Sequence, residues 1–222
     1  MSIVIAVDGT AASGKGTLAK RLARHFGFAH MDSGALYRLT ALAVLANNGD
    51  PSDEVDALKG ARAIDLSRAG DSVIRSDVVG KAASQVAAIP AVRTALHDYQ
   101  TAFLKSPPGH SQGAVMDGRD IGTVIAPSAT AKLFVDASPE VRAHRRWLEL
   151  RAMGISRDEA GLLAEIVARD HADRTRPVSP LKQAPDADLL DTTLLAIEPA
   201  FAAALALVSP KVQSALKASH RG

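Results

Sequence analysis

The residues Gly9-Thr10-Ala11-Ala12-Ser13-Gly14-Lys15-Gly16-Thr17 carry the spacing G-x-x-x-x-G-K, followed by Gly-Thr. That spacing suits a polyphosphate. Successive backbone N–H groups of such a loop point at phosphate oxygens, and glycine removes the side chains that would block the approach. A helix beginning at the end of the loop adds its dipole and its free N–H groups. Lys15 can bridge β- and γ-phosphates, and the Thr17 hydroxyl can hold Mg²⁺.

Three more clusters combine acids with arginines. Asp32-Ser-Gly-Ala-Leu-Tyr-Arg38 opens a helix just past a strand end, the edge at which parallel sheets bind ligands. There Ser33 can donate or accept and Arg38 can meet an anion, or the pair Asp32-Ser33 is a plain helix cap with a solvated arginine. Asp117-Gly-Arg-Asp120 stands at another strand end, where Asp117 can hold Mg²⁺ or its water and Arg119 can contact a phosphate. The alternative is a capped turn in which Arg and Asp pair locally. Arg169, Asp173 and Arg176 share one face of a helix at spacings of +4 and +3. They read either as a surface ion pair of small consequence or as a phosphate clamp with an acid aimed at a base or ribose.

The elements that must position these groups follow from the apolar pattern. Ile3–Val7 is a β-branched run that reads as a buried parallel strand, and the loop leads into an amphipathic helix from Lys15 to His25. Further strands are expected at 28–31, 114–117, 131–136 and 188–191. Helices are expected over 33–48, 78–88, 90–104, 139–153, 156–171 and 192–208, with Pro199 breaking or kinking the last. Between Asp50 and Asp77 the pattern weakens, and a short helix with a small hairpin at Ala69-Gly70-Asp71 is expected. Strands alternating with helices predict a doubly wound α/β fold on a parallel sheet.

Composition sets the outer limits. A chain of 222 residues without cysteine excludes a disulfide scaffold, thiolate metal sites and cysteine nucleophiles, and fits a reducing cytoplasm. No apolar run reaches the length of a membrane span, and Ser2–Val7 lacks the basic start of a signal peptide. Twenty-six basic residues against 24 acidic ones leave a charge of only +2, too little to coat a nucleic-acid polymer. Yet 17 of the 26 are arginines, whose planar fork matches phosphate or carboxylate. Residues 142–182 hold nine basic residues against six acids, with Arg142, Arg145 and Arg146 crowded on one helical turn. A mobile lid closing over a triphosphate, with Arg174 also in it, would neutralise that crowding.

The G-K-G-T ending resembles nucleoside-monophosphate kinases more than GTPases or motor ATPases. The chain as a whole resembles the bacterial-type cytidylate kinases, P-loop enzymes that phosphorylate CMP and dCMP from ATP. The matching pieces are Val7–Thr17, Asp32–Arg38, Ala82–Arg93, Asp117–Val124, Ala143–Arg146, Arg169–Arg176 and Asp191–Leu195, in order over nearly the whole chain. The resemblance implies a five-stranded parallel sheet flanked by helices, with a monophosphate-binding insert and a lid. It places Ser84 and Asp173 on the cytosine, Arg169 on the base or the acceptor's phosphate side, and Arg38 and Arg93 on the acceptor phosphate. Asp120 would hold the sugar, with Arg119 and Arg176 near the transferring phosphoryl group. Residues 63–77 are too short and glycine-poor for the three-stranded sheet common in the family's insert, so a trimmed insert is expected.

These readings give one P-loop kinase domain: a core of about 1–31, 110–141 and 183–222, a monophosphate-binding region of about 32–109, and a lid of about 142–182. ATP would lie on Gly9 through Thr17. Lys15, Arg119, Asp120 and Arg176 would form the catalytic set, and Thr17 and Asp117 would face Mg²⁺. A cytoplasmic monomer acting on ATP and CMP or dCMP is expected, with neither nucleic acid nor membrane as partner. Three rivals stand beside it: a kinase for AMP, UMP or a small alcohol, an ATP-binding switch without an acceptor, and an interaction protein that kept an inactive loop. The chain lacks the N-K-x-D guanine motif that a GTP-binding switch would carry.

Overall fold

A computed structural model describes residues 2–219. Seven β-branched and small residues at the start form β1 (Ile3–Gly9), with Ile5, Ala6 and Val7 wholly buried. β2 (Ala29–Asp32), β3 (Gly113–Gly118), β4 (Ala131–Asp136) and β5 (Asp188–Asp191) complete a five-stranded parallel sheet in the order β2-β3-β1-β4-β5. β1 lies between β3 and β4, pairing Val7 with Asp117 and Gly9 with Val135. Near-continuous apolar runs are what a sheet covered on both faces requires.

The chain divides into two compact units: one combines the segment up to Met31 with Leu104 onward, and the other is Asp32–Phe103. In the first, α1 (Lys15–Phe26) and α8 (Ile197–Ser219) pack against the sheet, and Leu18, Leu22, Val115, Leu133, Ala204 and Val208 belong to one core cluster. Two further helices, α6 (Pro139–Ala152) and α7 (Glu159–Thr175), pack on each other. In numbering order, the second unit supplies α2 (Ser33–Ala46), α3 (Glu54–Arg62), α4 (Asp77–Ala88) and most of α5 (Pro90–Lys105). There α2 packs on α3 and α4. Gly60 permits the α2–α3 contact, since a Cβ on it would stand 2.6 Å from a Val44 methyl and 2.9 Å from the Thr40 carbonyl.

Two expectations are corrected by local chemistry. The Ala69–Asp71 hairpin is absent; Leu66–Gly70 and Ser72–Arg75 form 3₁₀ turns instead. Asp65 accepts hydrogen bonds from the Ser67 N–H and hydroxyl, and Arg68 pairs with Asp71, so short-range bonds occupy the groups a hairpin would need. Pro199 neither breaks nor kinks the last helix. It falls in the first turn of α8, where no N–H is owed to a preceding carbonyl, and the helix runs on to Ser219. No strand occurs between Ala63 and Asp77.

Candidate active site

The carbonyls of Thr10, Ala11 and Ser13 in the loop after β1 are engaged by side chains. The Thr10 carbonyl accepts from the Ser13 hydroxyl at 3.0 Å and from Lys15 Nζ at 3.1 Å. Arg142 donates to the Ala11 carbonyl at 3.2 Å, and the Thr192 hydroxyl donates to the Ser13 carbonyl at 2.9 Å. The Thr10 hydroxyl is anchored on Asp136 Oδ1 at 2.7 Å. With these carbonyls bonded to side chains, the loop N–H groups are the ones left for an anion. α1 begins with no capping side chain and no acid in its first turn, so its N–H groups also stay available. By contrast α3, α4, α6 and α7 are capped by Asp53, Ser76, Ser138 and Asp158.

The loop is strained at Ala12, whose φ is +59°. A non-glycine residue there costs roughly 1–2 kcal/mol, and such strain persists only where the surroundings over-determine it. Gly9 is required for another reason: at φ +152° a Cβ would stand 1.9 Å from the Val135 carbonyl oxygen. Any side chain would force β1 from β4.

Asp117 closes β3 beside this loop. Its Oδ1 lies 2.8 Å from His30 Nε2, and a Cβ added to Gly16 would meet its Oδ2 at 3.4 Å. Its carboxylate therefore stands against the start of α1 at Gly16, between Lys15 and Thr17 in sequence, and Thr17 is exposed. Among the described residues no three His, Cys, Asp or Glu side chains gather as a metal-binding group. This donor set fits Mg²⁺ that arrives on nucleotide phosphates and keeps its waters, rather than a cation caged by protein.

A second cluster gathers Arg119, Asp120, Arg169, Asp173 and Arg176. Arg119 Nε donates to Asp173 Oδ2 at 2.8 Å, while Arg176 stands 3.8 Å from Asp173 Oδ1 and 3.9 Å from Asp120 Oδ1. Burial pushes the Asp173 carboxyl up, but Arg119, Arg169 and Arg176 together outweigh it and hold the group below the usual carboxylate range. Asp173 is thus an ionised acceptor at neutral pH. It is 9 % exposed, so the surface-pair reading of this face gives way to a buried cluster.

Asp8, at the end of β1, supports the same cluster from beneath. Its two oxygens accept the N–H groups of Ile121 and Gly122 at 2.8 and 2.7 Å, pinning the π-helical turn Ile121–Ile125 that follows Arg119 and Asp120. Burial raises its pKa from 3.8 to about 6, against the lowering effect of those two bonds.

The Asp32–Phe103 unit carries its own set. Asp32 takes the N-cap position of α2 without a side-chain cap bond, and Ser33 is buried. Arg38 donates to the Ile74 carbonyl at 2.8 Å, Ser84 to the Gly80 carbonyl at 3.3 Å and Arg93 to the Ala87 carbonyl at 3.1 Å. The Arg93 guanidinium also lies 5.3 Å from the centre of the Tyr37 ring.

The four arginines expected in a lid divide. Arg142 is 1 % exposed: besides Ala11 it donates to the Ala137 carbonyl at 2.8 Å and meets both oxygens of Asp170 at 3.1 and 2.5 Å. It is a buried brace and not a lid group facing triphosphate. Arg145 is likewise committed, donating to the Thr192 hydroxyl at 3.1 Å and carbonyl at 2.6 Å. Arg146 pairs with Glu149 at 2.9 Å, and the exposed Arg174 stands 3.7 Å from Asp136 Oδ2. Sequence reasoning missed Asp8, His30, Tyr37, Asp136 and Thr192 as supports. Asp136 carried a signal, an acid ending an expected strand; Tyr37 carried only its place in the matching segment Asp32–Arg38.

Comparison with known proteins agrees with this arrangement. The cytidylate kinase family model matches residues 5–209. The cytidylate kinase of Rhodopseudomonas palustris strain TIE-1 is 54 % identical over 206 residues, spanning 93 % of this chain and 95 % of its own. That of Afipia carboxidovorans is 52 % identical, over 93 % of this chain and 97 % of its own. A gluconokinase from Sinorhizobium meliloti 1021 is similar in fold alone, with a TM-score of 0.51 at 15 % identity and 98 % of each chain covered. The loop geometry, the sheet order and these matches converge: the chain belongs to the cytidylate kinase family.

Proposed function

We propose that the protein is an ATP-dependent kinase that transfers the γ-phosphoryl group to the 5′-phosphate of CMP or dCMP, giving ADP and CDP or dCDP. The observation that carries the acceptor half is Asp173, a buried carboxylate kept ionised by three arginines. An ionised carboxylate only accepts hydrogen bonds. It therefore favours the exocyclic amine of cytosine, a donor, over the carbonyl that uracil presents at that position.

In the transfer an oxygen of the acceptor phosphate, already an anion, supplies the electron pair for the new P–O bond. The bond from the γ-phosphorus to the β-bridging oxygen breaks, and ADP leaves with that electron pair. No general base is required. Lys15 and the N–H groups of Gly9 through Thr17 hold the donor phosphates, while Arg119 and Arg176 neutralise charge on the transferring group. Arg38 and Arg93 take the acceptor phosphate, Ser33 and Ser84 position the nucleotide, Arg169 flanks the base, and Asp120 takes the sugar. Thr17 and Asp117 would hold a Mg²⁺ carried in on the nucleotide, which would supply neutralisation of the phosphate charge. Within residues 142–182 the lid that excludes water would be carried by the stretch bearing Arg146 and Arg174, with Arg142 and Arg145 bracing its base.

No helix among the described residues is long and apolar enough to cross a membrane. A monomer in the cytoplasm suits small soluble substrates and a cysteine-free chain. The test is a coupled assay with Mg·ATP against CMP, dCMP, UMP and AMP at equal concentration. CMP and dCMP should be used at least about tenfold better in kcat/KM than UMP or AMP; equal rates would remove the cytosine assignment.

A further inference from the structure

The ATP loop and α7 belong to different stretches of chain, yet a single side chain ties them. Arg142 reaches the Ala11 carbonyl at 3.2 Å with one terminal nitrogen, which also bonds Asp170 Oδ1 at 3.1 Å. Its other terminal nitrogen meets Asp170 Oδ2 at 2.5 Å, and its Nε meets the Ala137 carbonyl at 2.8 Å. Arg142 and Asp170 are 1 % and 4 % exposed, so neither can reach a substrate directly. Asp170 lies in α7 between Arg169 and Asp173, and Ala11 immediately precedes the strained Ala12 at φ +59°.

We propose that Arg142 is a positioning residue for ATP binding: oriented by Asp170, it fixes the Ala11 carbonyl and thereby keeps the strained crown of the phosphate loop in its anion-binding shape. A peptide unit is planar, so fixing the Ala11 carbonyl fixes the Ala12 N–H on its opposite side. The strained conformation of Ala12 needs outside bonds to persist. Arginine alone among the side chains offers a fork that can grip one carboxylate with two nitrogens and still donate to two carbonyls; lysine, with one nitrogen, cannot span them.

A stability role by itself would call for no arginine here. A buried ion pair replaced by apolar groups of similar volume is often neutral or better for folding. What an apolar pair cannot supply is the bond to Ala11. The pair of substitutions Arg142→Met with Asp170→Leu separates the two roles, and Arg142→Lys keeps the charge while losing the fork.

The experiment is titration calorimetry of Mg·ATP into the full chain without acceptor, with thermal melting of each variant. This proposal rests on the loop being the ATP site, but the readout needs no transfer to CMP. Parent protein that binds Mg·ATP yet makes no CDP would sink the reading of function and leave this one standing. The Met/Leu pair should melt within a few degrees of the parent and bind Mg·ATP at least tenfold more weakly, with Arg142→Lys in between. A folded Met/Leu pair that binds Mg·ATP as tightly as the parent overturns the proposal. If that pair does not fold, Arg142→Lys decides alone: binding at least threefold weaker supports the role, and unchanged binding overturns it.

Discussion

The phosphate loop and the Asp32–Phe103 unit both carry residues to which the proposed function gives phosphates, and the two sets are held by opposite means. The loop is fixed by groups far away in sequence: Asp136, Arg142 and Thr192 each grip it from more than 120 residues on. Arg38, Ser84 and Arg93 instead rest on backbone carbonyls 36 residues away or fewer, Ile74, Gly80 and Ala87. Arg93 is also buried against the Tyr37 ring, and Arg38 and Arg93 make further contacts besides these carbonyls. The loop, with several bonds to satisfy at once, has no cheap alternative shape. One region is braced by bonds distant in sequence; the bonds described in the other are local.

That contrast can be broken from its strong end. Lys15→Ala should lower kcat by about three orders of magnitude, the size expected for losing a fixed charge on the transferring group, with the circular dichroism spectrum unchanged. Near-parent turnover would contradict the loop's assignment. Asp173→Ala should raise KM for CMP by about 100-fold, since a site built for a donor loses its partner, while KM for ATP moves less than about threefold; an effect confined to ATP would reverse the assignment. Leu22→Ala, in the core behind the loop, should cost about 2–5 kcal/mol in urea unfolding. Tyr37→Leu should weaken CMP by only about two- to fivefold, the worth of one cation–π contact to Arg93.

Asp8 sharpens the comparison through pH. Its pKa is raised from 3.8 to about 6 in the folded protein. Between those values the folded state keeps a proton that the unfolded chain has released, so this residue's contribution to stability falls as pH rises through the window. Asp8→Asn cannot titrate. Relative to the parent it should therefore gain about 1 kcal/mol in unfolding free energy between pH 5 and pH 7, whatever it loses outright by accepting one N–H fewer. A constant difference between the two proteins across that range would remove the buried-acid account.

The core of the fold was legible because its elements are periodic. Five apolar runs gave the five strands, with the fifth placed at Asp188–Asp191 residue for residue. The phosphate loop was equally legible, since glycine spacing and a strand-to-helix context have a direct physical meaning. Arg142 shows where such reading stops. In sequence it is one of three crowded arginines, and only folding shows that it turns inward to Asp170 and Ala11 while Arg146 turns to Glu149. Ser84 and Arg93 came from family resemblance alone, because a helix-surface serine and an arginine near a helix start carry no chemical signal by themselves. The 3₁₀ turns over 66–75 were hidden by the reverse effect: Gly70 suggested a hairpin, and the Asp65–Ser67 bonds decided otherwise.

The most direct measurement is phosphorus NMR of the full chain with Mg·ATP and CMP, following each phosphorus through the reaction. ADP and CDP should appear in equal amounts, with the CMP resonance replaced by the two resonances of a diphosphate. Release of inorganic phosphate with the CMP resonance intact would contradict it, leaving an ATP-hydrolysing or ATP-binding module in place of a kinase.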